Sequence, residues 1–293
     1  MPVSGDDVLA DCHRAPIIGY HRAPLSQKFG APRQPNLVAL MSVVEMIAPY
    51  DTPAAFVGLE AFSHIWLSWQ FHHNDTAKAG RVSAAAPASE EDATAARTTA
   101  KGHFRPQVRP PRLGGNQKIG VFASRSMYRP SALGLSVVKL ERVEIVQGRA
   151  FLIISGADMI DGTPIIDVKP YVAYSDALLD ARSGFAPTAP ELLEVTVTDA
   201  AYQQFLQLMS DALTRETAQG SGRQVLIDQA RWQLVDTDMA IIQALIAQDP
   251  RPAYRRKEVH KTFTMRYKSV DIAFWQLASG ALQITAITSI VSR

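Results

Sequence analysis

The chain has 293 residues, of which 47% are hydrophobic and 20% are charged, and its formal net charge is +2. This length predicts one large or two modest domains that can bury a core, and the composition is ordinary for a globular protein. The single cysteine, Cys12, excludes an internal disulfide. The N-terminal segment carries Asp6, Asp7 and Asp11 and lacks the cation-then-apolar layout of a secretory signal peptide, so a cytoplasmic location is predicted.

The first part of the chain, to about Tyr174, has the pattern of a β-barrel. Its short apolar runs are rich in β-branched and aromatic residues and are separated by Gly, Pro and Asp. The runs are HIWLSWQF, KIGVFAS, LSVVKLERVEIV, AFLIISGA and PIIDVKPYV. Residues 76–102 interrupt them with AAAPASEEDATAARTTA, which lacks aromatic and large aliphatic side chains and predicts a disordered surface loop. Two interpretations of this insertion stay open, an influence on substrate entry and a neutral insertion.

The second part of the chain is predicted to be a smaller α+β unit. A linker is expected in residues 183–191, where two prolines and small residues interrupt the periodic segments. Helices are predicted for DAAYQQFLQLMSDALTRE and, after an Asp N-cap candidate, for DTDMAIIQALIAQ. The uncharged run 272–292 is about long enough to span a bilayer, but VDIAFWQL and ALQITAI flank Ser279 and Gly280 in it, which predicts a hairpin instead. The fold class predicted is mainly β with α+β content: an N-terminal β-barrel domain over 15–180 and a smaller C-terminal α+β domain over 190–293.

Cations concentrate between Phe104 and Leu140, in a segment without any Asp or Glu. They are Arg105, Arg109, Arg112, Lys118, Arg125, Arg129 and Lys139. A local field of one sign attracts anions, and nucleic-acid phosphate is the commonest large anion that a protein meets. The segment therefore predicts a ligand-facing surface.

A second cationic segment, QDPRPAYRRKEVHKTFTMRYK, runs from Gln248 to Lys268 and interleaves its cations with aromatic residues. Two interpretations stay open. The cations and rings could bind RNA phosphates and unstacked bases, or they could be a solvated strand face over core aromatics. The two prolines of DPRPAY fix a rigid loop, which would suit positioning a substrate.

Common cofactor and metal motifs are missing from the sequence, which has no strand followed by GxGxxG, no Walker A loop, no HExxH helix and no CxxC pair. His72 and His73 are adjacent, and on a strand their rings would point to opposite faces. No metal site is therefore predicted.

Six segments together resemble the tRNA adenine-37 N6-methyltransferase family. RPPRLGG at Arg109–Gly115 and IGVFASRS at Ile119–Ser126 carry the resemblance first. The other segments, in the family's order, are IGYHRAPLSQKFGAPRQPNLV, GLEAFSHIWLSWQFHHN, ADMIDGTPIIDVKPY and QDPRPAYR. The resemblance implies an S-adenosylmethionine (SAM) enzyme built on a small β-barrel, with the cofactor in a cleft at a homodimer interface.

The resemblance also implies a set of site residues. The positions that match the family's cofactor contacts are Pro32, Arg33, Gln34, His72, His73, Arg125, Leu135, Asp158, Met159, Ile160 and Asp161. The RNA contacts predicted in the two cationic segments are Arg105, Arg109, Arg112, Arg129, Arg251, Tyr254, Arg255 and Arg256. From the residues alone, Arg33 and Arg125 could be surface ion-pair partners, and Asp161 could be a turn residue before Gly162.

The activity implied by the resemblance is N6-methylation of threonylcarbamoyl-modified adenosine 37, in the anticodon loop of threonine tRNA, with no membrane partner. Asp161 is the candidate proton acceptor. The chain departs from the family at RPSALG, where Ser131 and Ala132 replace an Asn-Pro pair. This departure leaves an alternative open, a noncatalytic β-barrel that binds RNA or an adenosyl ligand.

Overall fold

A computed structural model describes residues 14–72, 105–215 and 222–290. Cys12, His73 and the insertion at 76–102 lie outside the described residues. None of the described helices is long and apolar enough to cross a membrane.

The N-terminal part is a closed barrel of six strands. The strands of this part are β1 (Gly19–Arg22), β2 (Met41–Met46), β3 (His64–Gln70), β4 (Gln107–Val108), β5 (Ile119–Gly120), β6 (Leu133–Val146), β7 (Arg149–Ser155) and β8 (Pro164–Pro170). The barrel closes in the order β1-β2-β7-β6-β3-β8, while β4 and β5 pair in a separate ribbon. The predicted barrel is confirmed. The run KIGVFAS is only partly a strand, because a 3-10 turn over Val121–Ala123 follows β5.

Alternation of side chains builds the barrel interior. In β3, Ile65, Leu67 and Trp69 are buried, and their neighbours along the strand are more exposed. Successive side chains of a strand point to opposite faces, so these three lie inside the barrel. In contrast, β7 is buried from Ala150 to Ser155, which shows that its outer face is covered as well.

The C-terminal part is a four-stranded sheet with helices. Its strands are β9 (Val195–Val197), β10 (Phe263–Tyr267), β11 (Val270–Gln276) and β12 (Leu282–Ser289), in the order β10-β11-β12-β9. The helices of the described chain are α1 (Ala173–Asp176), α2 (Asp199–Arg215), α3 (Gly222–Arg231) and α4 (Asp238–Ala247). Both predicted helices and the predicted hairpin are confirmed, and Gly280 adopts a φ of 95° in the hairpin turn.

The helix α3, which the sequence analysis missed, packs on the barrel rather than on the C-terminal sheet. Ile227 lies in one apolar cluster with Val43, Phe151 and Ile153. This cluster explains the covered outer face of β7. Arg223, in the first turn of α3, forms an ion pair with the buried Glu45, which Arg22 also contacts at 2.6 Å.

A loop of the N-terminal part enters the C-terminal core in turn. Leu25, Val38 and Leu40 are buried in the cluster formed by the C-terminal sheet and α4. Phe29 stacks on Phe274 with ring centroids 6.3 Å apart. The PRQ turn, residues 32–34, is therefore held between the barrel and the C-terminal part, and the packing crosses the predicted domain boundary in both directions.

Candidate cofactor and RNA site

The PRQ turn meets the cationic segment at one end of the barrel. Arg125 donates a hydrogen bond from its guanidinium to Oε1 of Gln34 at 2.6 Å. Two residues further on, Asn36 donates from Nδ2 to the carbonyl of Val137 at 3.0 Å, and its backbone N–H donates to Gly156 at 2.8 Å. These bonds tie the turn to β6 and to the loop that follows β7.

Asp158, in the loop after β7, is part of a buried hydrogen-bonded chain. The hydroxyl of Ser136 donates to Oδ1 of Asp158 at 2.6 Å and accepts from Nε1 of Trp69 at 3.0 Å. Burial raises the pKa of Asp158, while the bond from Ser136 and the charge of Arg125 act in the opposite direction. The pKa of Asp158 is therefore raised on balance, because these contacts do not fully offset the effect of burial on its charged form.

Gly134 makes room for the indole of Trp69, which belongs to this series of hydrogen bonds. A Cβ built on Gly134 would lie 2.2 Å from Cε2 of Trp69, well inside van der Waals contact. The indole thus lies directly against the backbone of β6, and this approach brings Nε1 to Ser136. Ser136, Trp69 and Asn36 were not among the site residues predicted from the sequence, although the inward position of Ser136 in an alternating apolar strand was a usable signal.

The other predicted cofactor residues have different positions. His72 is exposed, and its Nε2 would lie 3.9 Å from a Cβ built on Gly162, so it borders the same loop. Met159 is buried in the barrel core with an exposure of 1%, and Ile160, at 8%, and Pro32 are also buried. Leu135 is 56% exposed on the outer face of β6. The structure therefore brings together Gln34, Arg125 and Asp158, while His72 lies near Gly162 in the loop that carries Asp158.

Asp161, the candidate proton acceptor, is engaged at both oxygens. Oδ1 accepts the backbone N–H of Ala23 at 3.1 Å, and Oδ2 accepts Nε of Arg231 at 3.0 Å. A second guanidinium nitrogen of Arg231 lies 2.8 Å from Oδ2. This geometry argues against a role as base and makes Asp161 the anchor of the C-terminal end of α3.

The DPRPAYR loop corrects one RNA prediction. Arg251 has an exposure of 0%, and it donates to both oxygens of Asp249 at 2.7 and 3.2 Å and to Gln276 at 3.1 Å. A side chain buried and paired in this way is not available to a phosphate, so the prediction was wrong for Arg251. A buried charge requires such pairing, and Arg251 holds the loop against the sheet.

The remaining residues of this loop face the surface to different degrees. Tyr254 is 84% exposed. Arg255 pairs with Glu258 at 2.9 Å and lies over the ring of Phe263 at 4.5 Å. Arg256 approaches Asp249, with 3.1 Å between Nε and Oδ2. The loop thus exposes the ring of Tyr254 beside Arg255 and Arg256, whose charges are partly neutralised by their ion pairs.

The cationic segment between Arg105 and Arg129 presents arginines stacked on aromatic rings. The guanidinium of Arg105 lies 4.3 Å from the ring centroid of Tyr128, and that of Arg129 lies 5.6 Å from Phe122. Arg109 is exposed, and Arg112 donates to the carbonyl of Thr188. Surfaces that combine exposed cations and rings suit single-stranded nucleic acid.

The fold and the site define a class of protein, a small closed β-barrel with a carboxylate and an arginine at one end and a cationic, aromatic surface beside them. The chain matches the family model of the tRNA-methyltransferase O N-terminal domain over residues 20–177 and that of the TrmO C-terminal domain over residues 221–290. The chain therefore belongs to the tRNA-methyltransferase O family, as the resemblance in the sequence predicted.

Individual relatives agree with this membership. The tRNA (adenine(37)-N6)-methyltransferase of Escherichia coli (strain K12) is 33% identical over 92% of this chain and 95% of its own length. A relative from Pseudomonas aeruginosa, whose name includes the words S-adenosylmethionine-dependent methyltransferase, is 36% identical over 89% of this chain and 91% of its own length. The crystal structure of TrmO from Pseudomonas aeruginosa superposes with a TM-score of 0.65 at 26% identity, covering 96% of this chain and 100% of that one.

Proposed function

We propose that this protein transfers a methyl group from SAM to N6 of adenine 37 in tRNA, in the cytoplasm. The observation that carries the proposal is the convergence of Gln34, Arg125 and Asp158, three segments distant in sequence, at one end of a barrel of this family. The finer assignment, threonylcarbamoyl-modified adenosine in threonine tRNA, follows the resemblance of the sequence to the family.

The polar groups at the barrel end fit the chemistry of SAM. An arginine suits the carboxylate of the methionine moiety, which makes Arg125 its proposed partner. Backbone carbonyls of the loop after β7 and the amide of Gln34 suit hydroxyl and amino groups. Leu135, which is 56% exposed on the outer face of β6, stays a proposed cofactor contact on the resemblance to the family alone. When bound, SAM supplies an electrophilic methyl group.

The protein's own contribution to the reaction is alignment and removal of one proton. A threonylcarbamoyl group on N6 delocalises the nitrogen lone pair, which weakens the nucleophile but makes its N–H more acidic. We assign the proton acceptor to Asp158 rather than Asp161, because burial favours its uptake of a proton while Asp161 is held by Arg231. Ser136, which donates to Oδ1, fixes the orientation of the carboxylate.

The function is tested with purified protein, SAM and tRNA. We expect binding of SAM by titration calorimetry and methyl transfer to threonine tRNA, detected by mass spectrometry of its nucleosides. Transcripts with and without the threonylcarbamoyl group show whether that modification is required, and fractionation of cells locates the protein. Binding of SAM and tRNA without any methylated nucleoside would instead establish the noncatalytic alternative.

We also propose a homodimer, with the cofactor cleft shared between subunits. Support comes from two large apolar side chains on the outer face of β6, Leu133 and Leu135, which are 44% and 56% exposed next to the site. Exposed apolar surface beside a ligand site suits a partner subunit. Sedimentation equilibrium at micromolar concentration should give twice the mass of one chain, and an active species of single-chain mass would exclude the shared cleft.

A further inference from the structure

We propose that Arg33 and Arg256 together bind one backbone phosphate of the substrate RNA. The sequence resemblance placed Arg33 among the cofactor contacts and Arg256 among the RNA contacts. The structure brings the two side chains to the same place, the backbone of Asp249. The proposal rests on tRNA being the substrate, as proposed above.

The two guanidinium groups converge on one carbonyl. Arg33 donates from a terminal nitrogen to the carbonyl oxygen of Asp249 at 3.5 Å, and Arg256 donates to the same oxygen at 3.4 Å. Their terminal nitrogens therefore lie within two hydrogen-bond lengths of each other. Two guanidinium groups at this separation can each donate to an oxygen of one phosphate, because a phosphate accepts several hydrogen bonds at once.

The charges in this cluster do not balance. Three guanidinium groups, those of Arg33, Arg251 and Arg256, surround the single carboxylate of Asp249. Arg251 takes both carboxylate oxygens from the buried side. Nε of Arg256 lies 3.1 Å from Oδ2 but has no hydrogen-bond partner among the described residues. The cluster thus retains an excess of positive charge at the surface.

The excess positive charge of this cluster acts on Arg33, which the charge of Arg256 repels. Burial lowers the pKa of Arg33, and the charge of Arg256 lowers it further, against the opposite effect of Asp249. Like charges held together by the fold favour an anion that would relieve the repulsion. The carboxylate of SAM is assigned above to Arg125, which bonds Gln34, so this pair is left for a different anion.

The surroundings indicate RNA as the source of the phosphate. Tyr254 is 84% exposed two residues before Arg256, and an exposed ring next to a phosphate contact can stack an unpaired base. The PRQ turn also carries Gln34, which accepts from Arg125. A phosphate bound by Arg33 would therefore fix the turn that borders the cofactor.

The test compares Arg33→Ala, Arg256→Ala and the double variant in binding to a threonine tRNA transcript over a range of salt concentrations. Each single variant should weaken binding by about 10- to 100-fold, the loss of one charged hydrogen bond. If both arginines hold the same phosphate, the double variant loses less than the product of the single losses. Its log-log salt slope should fall by roughly 0.7 to 0.9, the contribution of one phosphate.

Arg266→Ala is the matched control. Arg266 is exposed to a similar extent, 41% against 38% for Arg256, and it has a carboxylate partner of its own in Asp271. Its removal should leave tRNA affinity and the salt slope unchanged. SAM affinity and melting temperature, measured on every variant, report whether the fold and the cofactor site are intact, and Arg33→Gln and Arg256→Gln replace any alanine variant that does not fold.

Two outcomes would overturn the inference. Unchanged tRNA affinity and salt slope in the double variant would show that no phosphate binds here, and a loss of SAM affinity in Arg33→Ala with tRNA binding intact would make Arg33 a cofactor contact. Failure of the proposed function is distinguishable, because the wild-type protein itself would then not methylate tRNA, whereas failure of this inference leaves methylation by the wild type intact.

Discussion

Replacing Asp158 by asparagine is expected to lower the single-turnover rate of methylation by roughly 100-fold or more, while SAM and tRNA still bind. The amide keeps the shape of the side chain, and its oxygen can still accept the hydrogen bond from Ser136. It cannot take a proton from N6. Rapid-quench measurements at saturating SAM and tRNA separate this effect on the rate from any effect on affinity.

The pH dependence of the wild-type rate provides an independent check. A base acts in its ionised form, so the rate should rise with pH through the pKa of Asp158 and level off above it. Burial raises this pKa, so the acidic limb should lie at higher pH than for an exposed aspartate. Because the charge of Arg125 lowers it, Arg125→Ala should move the limb to still higher pH. The limb should disappear in Asp158→Asn.

Asp161→Asn is the matched control for the same experiment. Its partners are the N–H of Ala23 and the guanidinium of Arg231, so the variant loses an ion pair between the barrel and α3. We expect a lower melting temperature and a saturating rate close to that of the wild type. A variant pair with the opposite behaviour, Asp161→Asn slow and Asp158→Asn fast, would return the role of base to Asp161.

The contrast between the two aspartates shows where sequence reasoning was sufficient. Motif matches located both, since ADMIDGTP fixes their positions in the chain. Their different environments depend on residues far away, Ser136 and Trp69 for one and Arg231 for the other. No local pattern reports such partners, because hydrogen bonds between distant segments are decided by the tertiary fold.

The same distinction applies to the fold. The barrel strands β3, β6, β7 and β8, the β11-β12 hairpin and the helices α2 and α4 follow from alternation, turn residues and helical periodicity, which are local signals. The barrel strands β1 and β2 were not predicted. The docking of α3 on β2 and β7 could not be predicted, because its apolar face is short and its partner, Val43 with Phe151 and Ile153, lies elsewhere in the chain. Arg251 resembles a surface cation in the sequence, and only its burial against Asp249 distinguishes it from Arg256.

Gly134→Ala is expected to impair both stability and catalysis, although it adds only one methyl group. The new Cβ would lie 2.2 Å from the indole of Trp69, so the ring must move. Overpacking of this kind in a closed core costs about 1 to 3 kcal/mol of unfolding free energy. Displacement of the ring also breaks the bond from Nε1 to Ser136, which holds Asp158, so the methylation rate should fall as well.

Gly120→Ala is the control glycine, because its φ is −58° and a Cβ there meets no atom within 4 Å. It should leave the urea unfolding midpoint and the rate almost unchanged. Adding Trp69→Leu to Gly134→Ala removes the clash and should recover part of the stability without recovering the rate, since Nε1 is absent. Equal stability and rate in Gly134→Ala and Gly120→Ala would contradict the close contact between β6 and Trp69. Recovery of the full rate in the double variant would show that the bond from Trp69 to Ser136 does not position Asp158.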